Sequence, residues 1–429
     1  MDAKNNIQFS LSSTSVVRWN VIHLKMAGLW PVENSRLFGL YTAWLFFTQC
    51  HIVVLESIDL CSYTGDFSRA VLNICAMATF FANVCKMFHF QFRKSDYFHL
   101  VNELDAFVSQ QRSKYSEDET VIQLLDTSKQ RTAFITKVVV VYLICWTFMV
   151  VPALFLIEVP YGVFPLMAWY PFTANVRPRY EIIITLHFLT IGYCCFTSWG
   201  LDLFFGCLMY HLSLQLRLLN YHLANIRYRP KAVRDLQEGF PENTSVSPTY
   251  VERAMIKREK QEEMEGENKR PAENAMYDRL LECIKHHQRI IRYAECVENV
   301  ANPVILVQFA VGVLVLCVVL FQISSEMETL TAFVRFLVYL LELLLQIFIY
   351  CWVAHEIFEE SERVGEAAYC SDWPDGSARY KSALRLMMRR SQRPITITAG
   401  KIYAIDRNTF VSIVNASYSY YAVLRQSNN

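Results

Sequence analysis

The sequence predicts an all-α membrane protein with seven membrane-spanning helices, and three observations support this fold class. Hydrophobic residues make up 53% of the 429 residues, and a mean hydropathy of +0.19 is high for a soluble chain with ordinary surface charge. Apolar stretches of about 20 residues, the length that crosses a bilayer as a helix, recur along the chain. Lysine and arginine are concentrated in alternate connections between these stretches, as expected of a protein that crosses a membrane repeatedly.

The seven predicted spans differ in strength. The fifth contains "PVILVQFAVGVLVLCVVLFQ", which is continuously apolar, whereas the last contains "TFVSIVNASYSYYAVLRQ", which is polar enough to fail a strict hydropathy criterion. No internal repeat is visible, so we expect one seven-helix domain over residues 1–429. The predicted spans cover approximately residues 36–59, 68–91, 133–158, 182–210, 301–323, 331–355 and 408–427.

Basic residues predict the orientation in the membrane. The connections after the second and sixth spans are rich in them, for example Arg93, Lys94, Arg389 and Arg390. The positive-inside rule places these connections in the cytosol, with the N-terminus inside and the C-terminus outside. The first thirty residues lack a continuous apolar stretch with a cleavage site, so no cleaved signal peptide is expected. This orientation is the reverse of that of a G-protein-coupled receptor.

Residues 228–275 have a different composition from the spans on either side. They contain "FPENTSVSPTYVERAMIKREKQEEMEGENKRPAEN", a dense mixture of both charges with few aromatic residues. Such a segment cannot bury enough apolar area to form a compact fold. We expect a flexible, charged cytosolic insertion, which acts as a solvated spacer or as a regulatory segment that binds a partner.

Charge and motifs disfavour several function classes. The net charge of +1 provides no field to attract nucleic acid, so no nucleic-acid partner is expected. The 13 cysteines form no CxxC pair, no HExxH motif occurs, and we predict neither a metal site nor a cofactor. Asp202, His211 and Glu342 are too scattered along the spans to nominate a catalytic cluster, so an enzyme is not expected. A carboxylate such as Asp202 near the inner membrane boundary requires a partner, and we predict a structural role for it.

The polarity of the last span is confined to one side of the helix. Ser412, Asn415, Ser419, Val423 and Gln426 follow one another at intervals of three and four residues and therefore share a face. Polar groups at membrane depth are tolerated where they face protein or a water-filled cavity. Several copies of the chain around a symmetry axis would provide such a cavity, which suggests an oligomeric channel. The alternative is that this polar face packs against the other six helices.

Motifs over most of the chain resemble those of the insect odorant receptor family. The C-terminal third reads "QIFIYCWVAHEIFEESERVGEAAYCSDWPDG" and then "ALRLMMRRSQRPITITAGKIYAIDRNTFVSIVNASYSYYAVLRQ". "AWYPFTANVRPRYE" is similar to the family's second external loop, "LDLFFGCLMYHLSLQLRLLNYHL" to its fourth helix, and "CIKHHQRIIRYAECVENVANPVILVQF" to the approach to its fifth helix. These motifs run from about residue 165 onward.

This resemblance implies a subunit of an odorant-gated, non-selective cation channel of four subunits. It implies a small volatile odorant as ligand, a common co-receptor subunit as partner, and a multi-pass position among the lipids of the plasma membrane, in the dendrites of olfactory sensory neurons. The "SYSYYAVLR" ending is typical of odour-specific subunits, although a long charged insertion is more typical of the co-receptor. Ser427 departs from the hydrophobic residue that the co-receptor usually carries. The resemblance places Ser419, Val423, Gln426 and Ser427 in the pore and its gate.

The ligand is expected in a largely apolar pocket among the second, third, fourth and sixth spans. Ordinary packing in the core is the alternative role for each candidate residue. Trp146 and Tyr339 are the preferred contacts, because aromatic faces suit small aromatic ligands and the polar edges can orient them. The candidates are Phe80, Phe81, Val139, Tyr142, Trp146, Met149, His187, Ile191, Cys194, Phe336 and Tyr339.

Two other receptor classes also have seven spans. A gustatory receptor of the same channel superfamily is the nearer one, since Tyr420, Leu424 and Gln426 loosely match its last helix, but the "SDW" and "SQRP" stretches favour the odorant branch. A G-protein-coupled receptor is disfavoured, because no acidic-Arg-Tyr triplet ends the third span and no Asn-Pro-x-x-Tyr motif lies in the seventh.

Overall fold

The computed structural model describes residues 14–32, 35–62, 67–150, 152, 163–227, 249–325 and 330–428. This part of the chain is predominantly helical and contains ten α-helices. The helices are α1 (Arg18–Met26), α2 (Arg36–Ser62), α3 (Phe67–Phe92), α4 (Lys94–Lys114), α5 (Glu119–Cys145), α6 (Arg179–Ala224), α7 (Thr249–Ser325), α8 (Leu330–Tyr369), α9 (Ala378–Ser391) and α10 (Arg407–Asn428). A π-helical turn (Trp146–Val150) continues α5, and a short 3₁₀ helix (Trp373–Asp375) precedes α9.

Six helices within the described ranges are long and apolar enough to cross a membrane: α2, α3, α5, α6, α7 and α8. They contain the first six predicted spans, except that residues 151 and 153–158 of the third lie outside the described residues. The seventh predicted span forms helix α10, and its membrane crossing stays a prediction, because its polar residues lower its hydropathy. The protein is therefore a multi-pass helical membrane protein.

Several helices continue beyond the predicted spans. The largest difference lies in the predicted flexible insertion, of which residues 249–275 form the first part of α7, while residues 228–248 lie outside the described residues. The physical reason is composition, since Glu, Lys, Arg and Met are good helix formers and opposite charges four residues apart support one another on a helix surface. High charge density prevents burial in a core without preventing a helix.

The described part of the chain divides into two compact units. The first comprises Met1–His211, Tyr293–Glu356 and Thr396–Asn429, and the second comprises Leu212–Arg292 and Ile357–Ile395. The expectation of one seven-helix domain stays a prediction. The six helices that qualify as spans contribute to the first unit, which also contains the cavity described below.

Aromatic side chains form a core of the first unit where the end of α3 meets the middle of α6. The ring centroid of Trp30 lies 4.7 Å from that of Phe98, and Phe90 lies 4.4 Å from Tyr97. Phe204 of α6 packs against both Trp30 and Tyr97. All five side chains are nearly or completely inaccessible to solvent, so aromatic packing fixes the segment after α1 and helix α4 against the spans.

A short hairpin and a side-chain cap define the start of α10. Thr398–Ala399 pairs antiparallel with Tyr403–Ala404, and the turn between them places Gly400 and Lys401 at φ angles of 62° and 56°. Two consecutive positive φ values are typical of the tight turns that join antiparallel strands. The Asp406 carboxylate then accepts a hydrogen bond of 2.7 Å from the Thr409 backbone N–H, which satisfies a free donor in the first turn of α10.

The second unit is organised around the buried carboxylate of Glu360. Arg363 Nη1 lies 2.8 Å from Glu360 Oε1, Arg217 Nε lies 3.2 Å from the same oxygen, and Asn220 Nδ2 donates to Oε2 over 3.1 Å. A buried carboxylate is tolerated where opposite charges and hydrogen-bond donors replace its lost hydration. These contacts join the end of α6 to α8 within this unit.

Candidate ligand-binding site

The first unit contains a cavity of about 490 Å³ among its membrane-crossing helices. Its wall is formed by α3, α6, α7, α8, the π-helical turn after α5 and the segment 163–167. This volume lies within the range of about 300–1,000 Å³ found for small-molecule sites. The wall is mainly apolar with a few polar groups, which is the usual composition of such sites.

Six of the eleven residues predicted to bind the ligand line this cavity. Phe80 contributes from α3, Trp146 from the π-helical turn, and Tyr339 from α8. The other three are Ile191, Cys194 and Phe336. Helix packing therefore brings together side chains from four separate segments, including both preferred contacts.

The other five predicted residues do not line this cavity, and their contact with a ligand stays a prediction. Phe81, Tyr142 and Met149 are 53%, 45% and 69% exposed, on helix faces turned away from it. Neighbouring positions on a helix differ in direction by about 100°, and Phe81 lies on the side of α3 away from the cavity that Phe80 lines. Val139 instead packs against the cluster that contains Leu143, Trp199 and Leu203.

His187, the fifth of these residues, is buried behind the cavity wall. Its Nε2 atom shares a hydrogen bond of 2.7 Å with the Tyr170 hydroxyl, and its ring packs edge-on against Phe164, which itself lines the cavity. Burial, together with the nearby Glu56 carboxylate, raises the pKa of Tyr170 to about 12, so this phenol stays protonated. His187 supports the wall through Phe164 and Tyr170.

Helix α7 and the segment 163–167 were missing from the sequence-based pocket. Gln308 and Gly312 of α7 line the cavity, as do Phe164 and Leu166. Gln308 Nε2 donates over 2.7 Å to Gln346 Oε1 of α8, and both residues are buried. A glutamine inside the most apolar span was a sequence signal for this contact, since a buried amide requires a hydrogen-bond partner.

Further polar groups of the wall pair with one another. The hydroxyl oxygens of Thr79 and Tyr339 are 2.6 Å apart, which joins α3 to α8. Glu342 Oε1 accepts a hydrogen bond of 2.8 Å from the indole N–H of Trp199. The sequence contained Glu342 only as an isolated acid, and the fold places it in the cavity wall.

A buried ion pair adjoins the cavity at Ser198, one of its lining residues. Lys86 Nζ donates to Ser198 Oγ over 3.0 Å and to Asp202 Oδ1 over 2.7 Å. The Tyr350 hydroxyl donates to the same Asp202 oxygen over 2.8 Å. These contacts supply the partner that the sequence required for Asp202, and they join α3, α6 and α8.

The predicted polar face of α10 is exposed in the single chain. Ser412, Asn415, Ser419, Val423 and Gln426 are all exposed, and Val423 is 64% exposed. The opposite face is buried at Ile413 and Ser417. The side chain of Ser427 lies outside the described part of the structure. The polar face therefore does not pack against the other helices of its own chain.

The distribution of potential metal ligands bears on the chemistry of the site. Among the residues that the structure describes, no group of three or more His, Cys, Asp or Glu side chains could hold a metal ion. The described residues of the cavity wall offer aromatic contacts, hydrogen-bonding groups, the Glu342 carboxylate and the Arg335 guanidinium.

Comparison with protein families gives a match over most of the chain. The sequence model of the family described as 7tm Odorant receptor matches residues 66–418. Odorant receptor Or2 of Anopheles gambiae is 32% identical over 154 residues, which are 36% of this chain and 40% of that protein. Odorant receptor 10 of Aedes albopictus is 33% identical over 150 residues, which are 35% of this chain and 40% of that protein. The matches thus span about two fifths of the length of these curated relatives.

Solved structures show the same fold over nearly the whole chain. The insect olfactory receptor OR5 from Machilis hrabei in complex with eugenol superposes with a TM-score of 0.73, at 18% identity, over 96% of this chain and 97% of that one. A second structure of the same receptor gives a TM-score of 0.72 with the same identity and coverage. At this identity, the comparison supports the fold alone.

Proposed function

The chain belongs to the insect odorant receptor family, and from this premise we propose that it is the odour-specific subunit of an odorant-gated, non-selective cation channel. A small volatile odorant binds in the cavity of the first unit and opens a central pore lined by α10. The observation that carries this proposal is the cavity itself, about 490 Å³ in volume and walled by membrane-crossing helices and aromatic side chains.

The size and lining of the cavity suit a small aromatic ligand. Phe80, Trp146 and Phe336 provide aromatic faces, and Tyr339 adds a ring with a polar edge. Micromolar affinity corresponds to about 8 kcal/mol, or ~0.8 kcal/mol per heavy atom for a ligand of about ten such atoms, which is below the ceiling for small ligands. Dispersion and desolvation can provide most of this free energy.

The exposed polar face of α10 supports a pore shared among subunits. A polar face exposed at membrane depth is costly in lipid, so it requires contact with water or other protein. Four copies of α10 around a symmetry axis would turn Ser419, Val423 and Gln426 toward an aqueous path. We place Ser427 next to this ring and assign the remaining subunits of the tetramer to a common co-receptor or to further copies of this chain.

The proposed position is the plasma membrane of olfactory sensory neuron dendrites, with the N-terminus cytosolic and the C-terminus extracellular. The basic connections after the second and sixth spans support this orientation. Odorant arriving from outside then reaches a cavity in the outer half of the membrane. Gating requires that the odorant bind the open state more tightly than the closed state, because equal affinity would shift no population.

Whole-cell recording tests this function. The chain is expressed in a heterologous cell with and without an insect co-receptor and exposed to a panel of small volatile aromatics that includes eugenol, the ligand of the solved Machilis receptor complex. We expect an odorant-evoked, non-selective cation current that requires the co-receptor. Current without the co-receptor would indicate a self-sufficient homotetramer. The absence of an odorant-evoked current under both conditions, with the protein labelled at the cell surface, would contradict the proposal.

A further inference from the structure

Among the described residues of the cavity wall, one carboxylate has contacts that leave its charge uncompensated. Glu342 lies on α8 within a membrane-crossing segment and lines the cavity. Its Oε1 atom accepts the indole N–H of Trp199 over 2.8 Å, and the thiol of Cys195 is its other hydrogen-bond partner. Both partners are neutral donors, so they orient the carboxylate without balancing its charge.

A carboxylate in a membrane interior normally has a cationic partner, because removing a charge from water is costly. Asp202 meets this requirement through Lys86, and Glu360 meets it through Arg217 and Arg363. Glu342 forms no ion pair with any residue in the described part of the chain. Arg335 lines the same cavity but lies seven residues earlier on α8, about 10 Å along the helix axis.

Other polar groups of the wall already contact one another. The hydroxyls of Thr79 and Tyr339 form one pair, and the amides of Gln308 and Gln346 form another. A carboxylate has about four acceptor positions, and the two neutral donors occupy only part of this capacity. Glu342 is therefore a strong acceptor in an otherwise mainly apolar cavity.

We propose that Glu342 is the polar anchor of the ligand and that the cavity takes a small, mainly apolar molecule carrying one hydrogen-bond donor, either a protonated amine or a hydroxyl group. This inference rests on the proposed function of the same cavity. The donor binds the carboxylate, and the apolar remainder contacts Phe80, Trp146 and Phe336. Hydrogen bonds to an ionised acceptor are about twice as strong as neutral ones, so this contact discriminates between ligands of equal size.

Three ligands of nearly equal shape test the anchor: 2-phenylethylamine, 2-phenylethanol and propylbenzene, which end in an ammonium, a hydroxyl and a methyl group. The concentration for half-maximal current is measured with the co-receptor present. For the unmodified chain we expect this half-maximal concentration to be at least about tenfold lower for the amine or the alcohol than for propylbenzene. A tenfold difference corresponds to about 1.4 kcal/mol in binding free energy between the ligands.

Two substitutions distinguish an ammonium donor on the ligand from a hydroxyl donor. Glu342→Gln keeps an acceptor for Trp199 but removes the charge, so a preference for the amine is lost and a preference for the alcohol is largely retained. Glu342→Met removes the acceptor, so both preferences are lost and propylbenzene becomes the best ligand. Glu56→Gln is the matched control, because Glu56 is a buried acid that does not line the cavity. The ligand preference of this variant should match that of the unmodified chain.

Surface labelling accompanies each variant, so that loss of current through misfolding is recognised. Equal potency of all three ligands, or an unchanged preference in Glu342→Met, would overturn the assignment of Glu342. The assignment would also be overturned if neither the amine nor the alcohol evoked a current while ligands of the wider panel without a hydrogen-bond donor did. In each of these cases an odorant-evoked current persists, so the proposed channel function stands while the inferred ligand class fails.

Discussion

Lys86 Nζ lies 2.7 Å from Asp202 Oδ1, and the two side chains are only 1% and 2% exposed. This ion pair joins α3 to α6, and the Tyr350 hydroxyl connects it to α8. Lys86 also donates to Ser198, which lines the cavity. The position of one wall residue is thus linked to a buried charge pair.

Removing either charge of this pair should destabilise the protein strongly. For Lys86→Met we expect a loss of about 3–5 kcal/mol in the free energy of unfolding, because the Asp202 carboxylate is left buried without its cation. The double variant Lys86→Met with Asp202→Asn should recover most of this loss, since neither charge remains. Unfolding in detergent, followed by circular dichroism, measures both values.

The matched control for the buried pair is an exposed one. Arg177 and Glu181 form an ion pair with side chains 79% and 48% exposed. Arg177→Ala should cost no more than about 1 kcal/mol, because solvent screens exposed pairs. Equal losses for Lys86→Met and Arg177→Ala would contradict the role of the buried pair.

Trp146 and Tyr142 provide a matched test of the cavity wall. Their rings stack with centroids 6.0 Å apart, yet only Trp146 lines the cavity, while Tyr142 is 45% exposed. Trp146→Ala should raise the odorant concentration for half-maximal current about tenfold or more, because it removes a large aromatic contact. Tyr142→Ala should shift it little, and relative ion permeability should stay unchanged in both. An equal shift in the two variants would count against the cavity as the ligand site.

Gly192 lies where α6 meets the turn that carries Trp146. A Cβ atom at this position would be 2.1 Å from Cγ2 and 2.8 Å from Cβ of Thr147. The Thr147 hydroxyl donates to the Leu143 carbonyl over 2.8 Å, which holds its rotamer. Gly192→Ala should therefore cost about 1–3 kcal/mol and weaken the odorant response, because overpacking displaces the neighbouring backbone.

Thr147→Ala combined with Gly192→Ala should recover part of that loss, since it removes the nearest atom. Gly39→Ala is the control, because nothing lies within 4 Å of its Cβ position. In the first turn of α2 this change should stabilise by up to about 1 kcal/mol, because alanine favours the helix more than glycine does. Thermal unfolding of the purified proteins measures the stability of Gly192→Ala, of the double variant and of Gly39→Ala. Unchanged stability in Gly192→Ala would show that α6 and the turn are not closely packed.

Gln426 tests the proposed pore. It lies on the exposed polar face of α10, where it would meet permeating ions in the assembled channel. Gln426→Ala should change the permeability ratios among monovalent cations and leave the rank order of odorants intact. Reversal potentials under ion substitution provide the measurement, and Tyr418→Phe, also on an exposed part of α10, serves as the control. Identical permeability ratios in Gln426→Ala would remove this residue from the pore.

His23 should make the stability of the protein dependent on pH. Burial lowers its pKa from 6.5 to about 4, against the opposing effect of its hydrogen bond to the Phe196 carbonyl. The folded state disfavours protonation of His23. The contribution of neutral His23 to the free energy of unfolding is therefore fully present above pH 6.5 and is lost as the pH falls towards 4. At pH 5 the loss is about 2 kcal/mol.

The variant His23→Gln isolates this effect from the other titrating groups. Between pH 7.5 and pH 5, its free energy of unfolding should fall by about 2 kcal/mol less than that of the unmodified chain. Unfolding in detergent at both pH values provides the comparison. Parallel losses in the two proteins would mean that His23 is not held in its neutral form.

The sequence by itself determined the features that depend on local periodicity. A stretch of about 20 apolar residues is long enough to cross a membrane as a helix, and the described residues of the first six predicted spans lie in helices. The shared face of the polar residues of α10 follows from the 3.6-residue turn in the same way, and the structure adds that these residues are exposed in the single chain. The charged segment before the fifth span is helical from Thr249 onward, because a composition that excludes a core can still favour a helix.

Only the tertiary structure decided which side chains meet. Phe80 lines the cavity and Phe81 does not, because the rotation of α3 against its neighbours selects one face. Trp199 and Glu342 are 143 positions apart in the chain, and Lys86 and Asp202 are 116 apart. Such contacts arise from the packing of whole helices, so no local pattern in the sequence contains them. For that reason Glu342 was an isolated acid in the sequence and is a candidate anchor for the ligand in the fold.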